Sequence, residues 1–159
     1  MNLVLKLKDI THNNIYFMDL VKNTVMDNSD FIRINYSNSL FITNGIHLEF
    51  MLNGVILERY YSKYKCTYKL MNNMHTIDEL ARLENKILLS YIKTFSKEKD
   101  YKINYKLKEQ LYSGSIKILS NGNINCNNYL IVENKYILKI SGVWDTGNEI
   151  GLTYKFLYN

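Results

Sequence analysis

Proline is absent from this chain of 159 residues, and alanine occurs only at position 81. Asparagine, lysine and tyrosine are abundant instead, the usage of a very AT-rich coding sequence. Mutational bias can supply lysines, so their number is poor evidence for a ligand and their placement is better evidence. No apolar run approaches the roughly 18 residues that a transmembrane helix needs. The opening MNLVLKLKDITHNN has too short an apolar part and no small-residue cleavage site, so it does not read as a secretory leader. The two cysteines, Cys66 and Cys126, make no metal or redox spacing, which points to a reducing, intracellular setting.

Catalytic signatures are missing as well. There is no P-loop, no dinucleotide fingerprint and no G-x-S-x-G. His12, His47 and His75 stand in separate contexts. Asp145 and Glu149 flank a turn, which favours turn chemistry over acid–base work. The expectation is a protein that is not an enzyme and carries no cofactor and no metal.

What is present is a core. Apolar residues make up 47% and aromatics 13% of the chain, enough for one folded domain over residues 1–159. Charge is unevenly spread. Residues 1–58 carry four basic and six acidic side chains, residues 59–117 thirteen and six, and residues 118–159 three of each. A basic middle third suits a face that meets a polyanion; a solvated surface without a partner is the rival reading.

Alternation predicts a strand in NLVLKLK and another in FIRINY (31–36). IHLEFML-NG-VILERYY carries a hairpin signal, with Asn53-Gly54 suited to a two-residue turn. That register puts Ile46, Leu48, Phe50, Leu52, Val55 and Leu57 on a core face. His47, Glu49, Met51, Ile56, Glu58 and Tyr60 take the other, with Glu49 opposite Glu58. A metal there lacks a further ligand, and an exposed face is the simpler reading. RYYSKYKCTYKL (59–70) then continues the second strand with its faces exchanged. Arg59, Tyr61, Lys63, Lys65 and Lys69 point one way, Tyr60, Tyr64, Cys66 and Tyr68 the other, as in a strand that bends between sheet layers.

Thr76 and Glu79 form a capping box. Ile77, Leu80, Leu83, Ile87, Leu88, Tyr91 and Phe95 follow at helical spacing, predicting one helix that ends near residues 96–100. YKINYKL and SIKIL read as strands around KEQLYSG, a short helical turn closed by Gly114. NGNINCNN (121–128) reads as a loop, and YLIV, YILKISGVW and IGLTYKFLY as closing strands. With no βα alternation, the fold class is mainly β with one inserted helix. A compact antiparallel barrel or sandwich fits, and an oligonucleotide-binding-type barrel is one such solution.

In the last hairpin, pairing Asp145 with Glu149 sets Trp144 against Ile150, Ile140 against Tyr154 and Leu138 against Phe156, which favours Trp144 as a core anchor over a base-stacking platform. The opposite face sets Ser141 against Thr153 and Lys139 against Lys155, two lysines and two hydroxyls matched to a phosphate; the rival reading is two long lysines that splay into solvent at little cost.

LKISGVW, a short acidic turn and GLTYKF resemble the C-terminal signature of small single-stranded-DNA-binding proteins of nucleocytoplasmic large DNA viruses. The match covers about twenty residues. It implies an oligonucleotide-binding fold, a role in DNA replication, and a location in the host cytoplasm or viral factory. Such replicative binders commonly end in an acidic tail that recruits polymerases, and TYKFLYN is not one, which puts that recruitment in doubt.

The leading expectation is a non-enzymatic, sequence-tolerant binder of single-stranded nucleic acid, DNA first. Arg59, Lys63, Lys65, Lys69, Lys139 and Lys155 would track phosphates while Tyr61 stacks on bases. The alternative is a structural or minor virion protein that contacts other viral proteins and has no nucleic-acid role. Neither reading involves a membrane, and both leave homo-oligomerisation open.

Overall fold

The computed structural model describes residues 3–95, 97, 100–120, 122, 124 and 130–158, with residues 130–133 as backbone alone. Among them the strands are β1 (Val4–Lys6), β2 (Ile15–Lys22), β3 (Asp30–Ser37), β4 (Ile42–Asn44), β5 (Ile46–Tyr60), β6 (Lys63–Thr67), β7 (Lys102–Asn104), β8 (Ser115–Leu119), β9 (Leu130–Asp145) and β10 (Glu149–Tyr158). The helices are α1 (Met74–Thr94) and α2 (Lys106–Tyr112).

Five strands close on themselves. β5 pairs antiparallel with β6 and β6 with β8; β10 lies parallel to β8 and antiparallel to β9, and β9 returns to β5. The result is a closed five-stranded barrel of the oligonucleotide-binding type, with both helices inserted between its second and third strands. β1 adds to β5, β7 to β10, and β3 extends the sheet from the end of β9, carrying β2 and β4. Inward residues of all five barrel strands join one core with Ile77, Leu80, Leu83, Ile87, Leu88 and Tyr91 of α1. Phe95, expected on the same stripe, is 36% exposed, because the helix ends at Thr94.

The Asn53-Gly54 dipeptide is not a turn. β5 runs through it and stays in register with β9, with Leu52 opposite Asn134 and Val55 opposite Ile131. Asn73 explains why the strand survives there. Its side chain is buried, accepts the Asn53 N–H at 2.7 Å and donates to the Asn53 carbonyl at 3.1 Å and the Lys69 carbonyl at 3.0 Å. Gly54, at φ +64°, moves the inward side from even to odd positions. Ile46, Leu48, Phe50, Leu52, Val55 and Leu57 are therefore all buried, as predicted, but on one strand rather than two. Glu49 and Glu58 accordingly do not face each other. Glu49 pairs with Lys135 at 3.5 Å, and Glu58 stands opposite Lys65.

The real hairpin is at Tyr61-Ser62, where β5 turns into β6. Its register, Tyr60 opposite Lys63 and Arg59 opposite Tyr64, corrects the single bent strand expected over residues 55–70. Tyr64, Cys66 and Tyr68 are buried as expected. Burial pushes the Cys66 thiol up to about 12 despite its contact with the Tyr136 hydroxyl at 3.5 Å, so the sulfur is inert. Cys126 and all of 121–128 but Gly122 and Ile124 lie outside the described residues.

Two further readings change. α1 begins at Met74, with Asn73 at its N-cap position, so Thr76 lies inside the first turn and the capping box is not formed. YKINYKL is only briefly a strand, because α2 starts at Lys106. The reason is Glu84 of α1. Fully buried, its carboxylate accepts the Leu107 N–H at 3.0 Å and the Lys108 N–H at 2.8 Å, satisfying two donors at the start of α2.

Asp145, also buried, ties α1 to the β9–β10 turn. It accepts hydrogen bonds from the hydroxyls of Tyr91 (2.6 Å) and Tyr101 and from the Gly147 N–H (2.8 Å), and it pairs with Lys97 at 3.1 Å. Burial alone would raise its pKa, but these four partners outweigh burial and hold the carboxyl below its ordinary value.

Candidate nucleic-acid interface

The register of the barrel lines up basic side chains that lie far apart in sequence. Lys65 on β6 stands opposite Lys117 on β8. Ile118 pairs with Phe156 in the parallel ladder, so Lys117 and Lys155 occupy the preceding position on neighbouring strands. Lys155 stands opposite Lys139 on β9, and Lys139 opposite His47 on β5. One step along each ladder crosses four lysines and a histidine on the outer face. None of the four lysines makes a salt bridge among the described residues. Like charges directly opposite one another are unfavourable; Lys65–Lys117 and Lys139–Lys155 are two such pairs, and Lys117 and Lys155 adjoin them one position before the β8–β10 ladder.

His47 closes the row. It is 7% exposed, and its Nδ1 has no hydrogen-bond partner among the described residues. Burial, then the charges of Lys139 and Lys155, lowers its pKa, so the ring is neutral near pH 7.

Aromatic groups flank the row at two places. At the β5–β6 turn, Tyr61 is 85% exposed and Tyr60 43%. Their rings meet edge to face at 5.0 Å, and the Lys117 ammonium sits 4.8 Å from the centroid of Tyr60. Tyr61 holds φ +54°, a left-handed conformation unusual for a bulky side chain.

The second place is Trp144, whose position corrects the predicted register. Trp144 pairs with Gly151, and Asp145 pairs with Ile150. Thr153 opposes Gly142 and Tyr154 opposes Ile140, so Ser141 is an extra residue bulged out of β9. The Lys139–Lys155 and Leu138–Phe156 pairs lie beyond the bulge and are as predicted. Trp144 lies before it and faces outward, half-buried, instead of anchoring the core. Its indole lies on the bare backbone of Gly151, where a Cβ would come within 2.4 Å of Cζ2.

β10 pairs with β8 only at Phe156 and Leu157 and with β7 at residues 149–151. The gap between the two ladders is a cleft of about 290 Å³ with α2 at its side, lined by Trp144, Lys63, Lys106, Lys117, Lys155 and Gln110 among others, with no carboxylate.

The structure thus brings together Lys63, Lys65, Lys139 and Lys155 of the predicted residues, with Tyr61 at the adjoining turn. Arg59 is not in the row: it sits opposite Tyr64, on the inward side of β5, and is exposed only near the strand end. Lys69 lies two residues beyond β6, at the start of the Leu70–Asn72 turn, outside the strand ladders that form the row. Lys117, Lys106, Tyr60 and Trp144 were missed. The alternation Ser115, Lys117, Leu119 was a usable signal for Lys117, and Gly151, a glycine within a strand, was one for Trp144; for Lys106 and Tyr60 the signal required the barrel register.

Among the described residues, no helix is long and apolar enough to cross a membrane. No protein-family model, curated protein or solved structure matches the chain.

Proposed function

We propose that the protein binds single-stranded nucleic acid, DNA first, across the outer face of the barrel. The observation that carries this reading is the unpaired row Lys65–Lys117–Lys155–Lys139. Such a row costs stability in the free protein, and a chain of phosphates relieves that cost. Phosphate contacts carry no sequence information, so binding is sequence-tolerant. A barrel of this type offers its second and third strands to oligonucleotides, here β6 and β8, although the fold by itself does not decide function. The LKISGVW and GLTYKF resemblance supports a replicative role in a large DNA virus.

Anisotropy titration of a labelled oligothymidylate at several salt concentrations tests the reading. Four phosphate contacts at about 0.7 each give a log–log salt slope of roughly −3. Absence of binding at low salt, or binding indifferent to salt, refutes it.

One observation favours a second role as an interaction protein. β2 is an edge strand of the sheet, and Tyr16, Met18, Leu20 and Val21 on it are exposed together with Ile42 on β4. Mass spectrometry of purified virions, with light scattering across protein concentration, tests that role. A monomer absent from particles counts against it.

A further inference from the structure

We infer that the cleft between β8 and β10 is a nucleobase pocket, with Trp144 as its stacking wall and Gln110 as the group that reads the base. This inference rests on the single-strand reading above and adds a base contact to it.

The indole is held flat by Gly151 beneath it, which fixes its orientation without a hydrogen bond. Its N–H has no partner among the described residues. A rigid, partly exposed aromatic ring beside unpaired ammonium groups has the composition of a site for a base and its flanking phosphates. At about 290 Å³ the cleft is at the small end of ligand pockets, suited to a single base.

Gln110 supplies the polar contact. The Tyr154 hydroxyl donates to its Oε1 at 2.7 Å, which fixes the amide and leaves the NH₂ without a partner among the described residues. That NH₂ donates to an exocyclic carbonyl, which thymine, cytosine and guanine possess and adenine lacks. Lys63, Lys106, Lys117 and Lys155 around the opening then hold the phosphates on either side of the inserted nucleotide.

Trp144 is the chain's only tryptophan, so its emission, excited beyond tyrosine absorption, reports this site alone. Three ligands would be titrated: an oligothymidylate, an abasic strand of equal length, and free thymidine monophosphate. The expected result is quenching by oligothymidylate and binding of the abasic strand without quenching, roughly 5- to 100-fold more weakly. Trp144→Phe should keep most of the affinity, whereas Trp144→Ala, followed on a labelled strand, should approach the abasic value. Gln110→Ala should bring oligothymidylate and oligoadenylate affinities closer together. Equal affinity for thymidylate and abasic strands, or binding without quenching, overturns the base pocket and leaves the phosphate reading standing. If neither strand binds, both fail. If the free mononucleotide quenches at the concentrations at which the strand does, the site is a mononucleotide pocket and the assignment to a strand is wrong.

Discussion

Lys155→Gln separates a binding surface from a merely basic one, because the two make opposite demands on the same side chain. Lys155 stands between Lys117 and Lys139 and has no acidic partner among the described residues, so replacing it removes two like-charge steps. For exposed charges each step is worth about 0.2–0.5 kcal/mol at low ionic strength. The variant should therefore be about 0.5–1 kcal/mol more stable than the parent in low-salt urea denaturation. At 1 M salt, where the screening length falls to about 3 Å, the gain should disappear. The same change should weaken single-strand binding and flatten the log–log salt slope by about 0.7. An independent readout is the His47 ring, whose pKa is lowered by burial first and by Lys139 and Lys155 after it. Removing Lys155 should move that pKa upward by NMR titration but not to its ordinary value, since burial remains. A variant that is destabilised at low salt refutes the description of the row as repulsive. A variant that is stabilised yet binds with unchanged slope refutes its use for phosphates.

Two other perturbations test the framework that holds the row. Asn73→Ala removes the partners of the Asn53 N–H and carbonyl and of the Lys69 carbonyl, and should cost about 1–3 kcal/mol by chemical denaturation. Asn73→Asp should be at least as damaging, because a carboxylate cannot donate to either carbonyl; full stability in both variants contradicts the clamp. His47 has a folded pKa below its unfolded value near 6.5, so its contribution is complete above that pH and is lost as pH falls through the folded value. The stability difference between His47→Gln and the parent should accordingly shift in favour of the variant on acidification from pH 7 to 5; a pH-independent difference contradicts it. Glu84 titrates in the opposite sense, since burial raises its pKa over the two N–H bonds that lower it, so only the difference between variant and parent isolates His47.

What the sequence made legible was decided by alternation, and alternation says which side a residue faces but not which strand it meets. Residues 46–57 were assigned to the correct face because burial is a property of the side chain and its parity, even though the hairpin inferred for them does not exist. Asn53-Gly54 has turn chemistry, and locally nothing contradicts a turn. The deciding contact is Asn73, twenty residues away, which supplies the missing hydrogen-bond partners and lets the strand run on. Trp144 failed in the complementary way. A bulge at Ser141 adds one residue to β9, which reverses parity for everything on one side of it and leaves the other side untouched. Lys139 and Lys155 were therefore paired correctly, while Trp144, five residues from Lys139, was placed on the wrong face. Gly151 carried the available signal: a glycine within a strand marks a close approach, and here the approaching group is the indole. That same bulge is what puts a tryptophan and the lysine row on one outer surface. Deleting Ser141 removes the extra residue and leaves one residue of β9 for each of β10, so Ile140, Gly142, Val143 and Trp144 should keep their present sides and partners, with Lys139 still opposite Lys155. The expected signature is emission still quenched by oligothymidylate, with the salt slope retained. A blue-shifted emission no longer quenched would mean that Ser141 is not the extra residue that sets the orientation of Trp144.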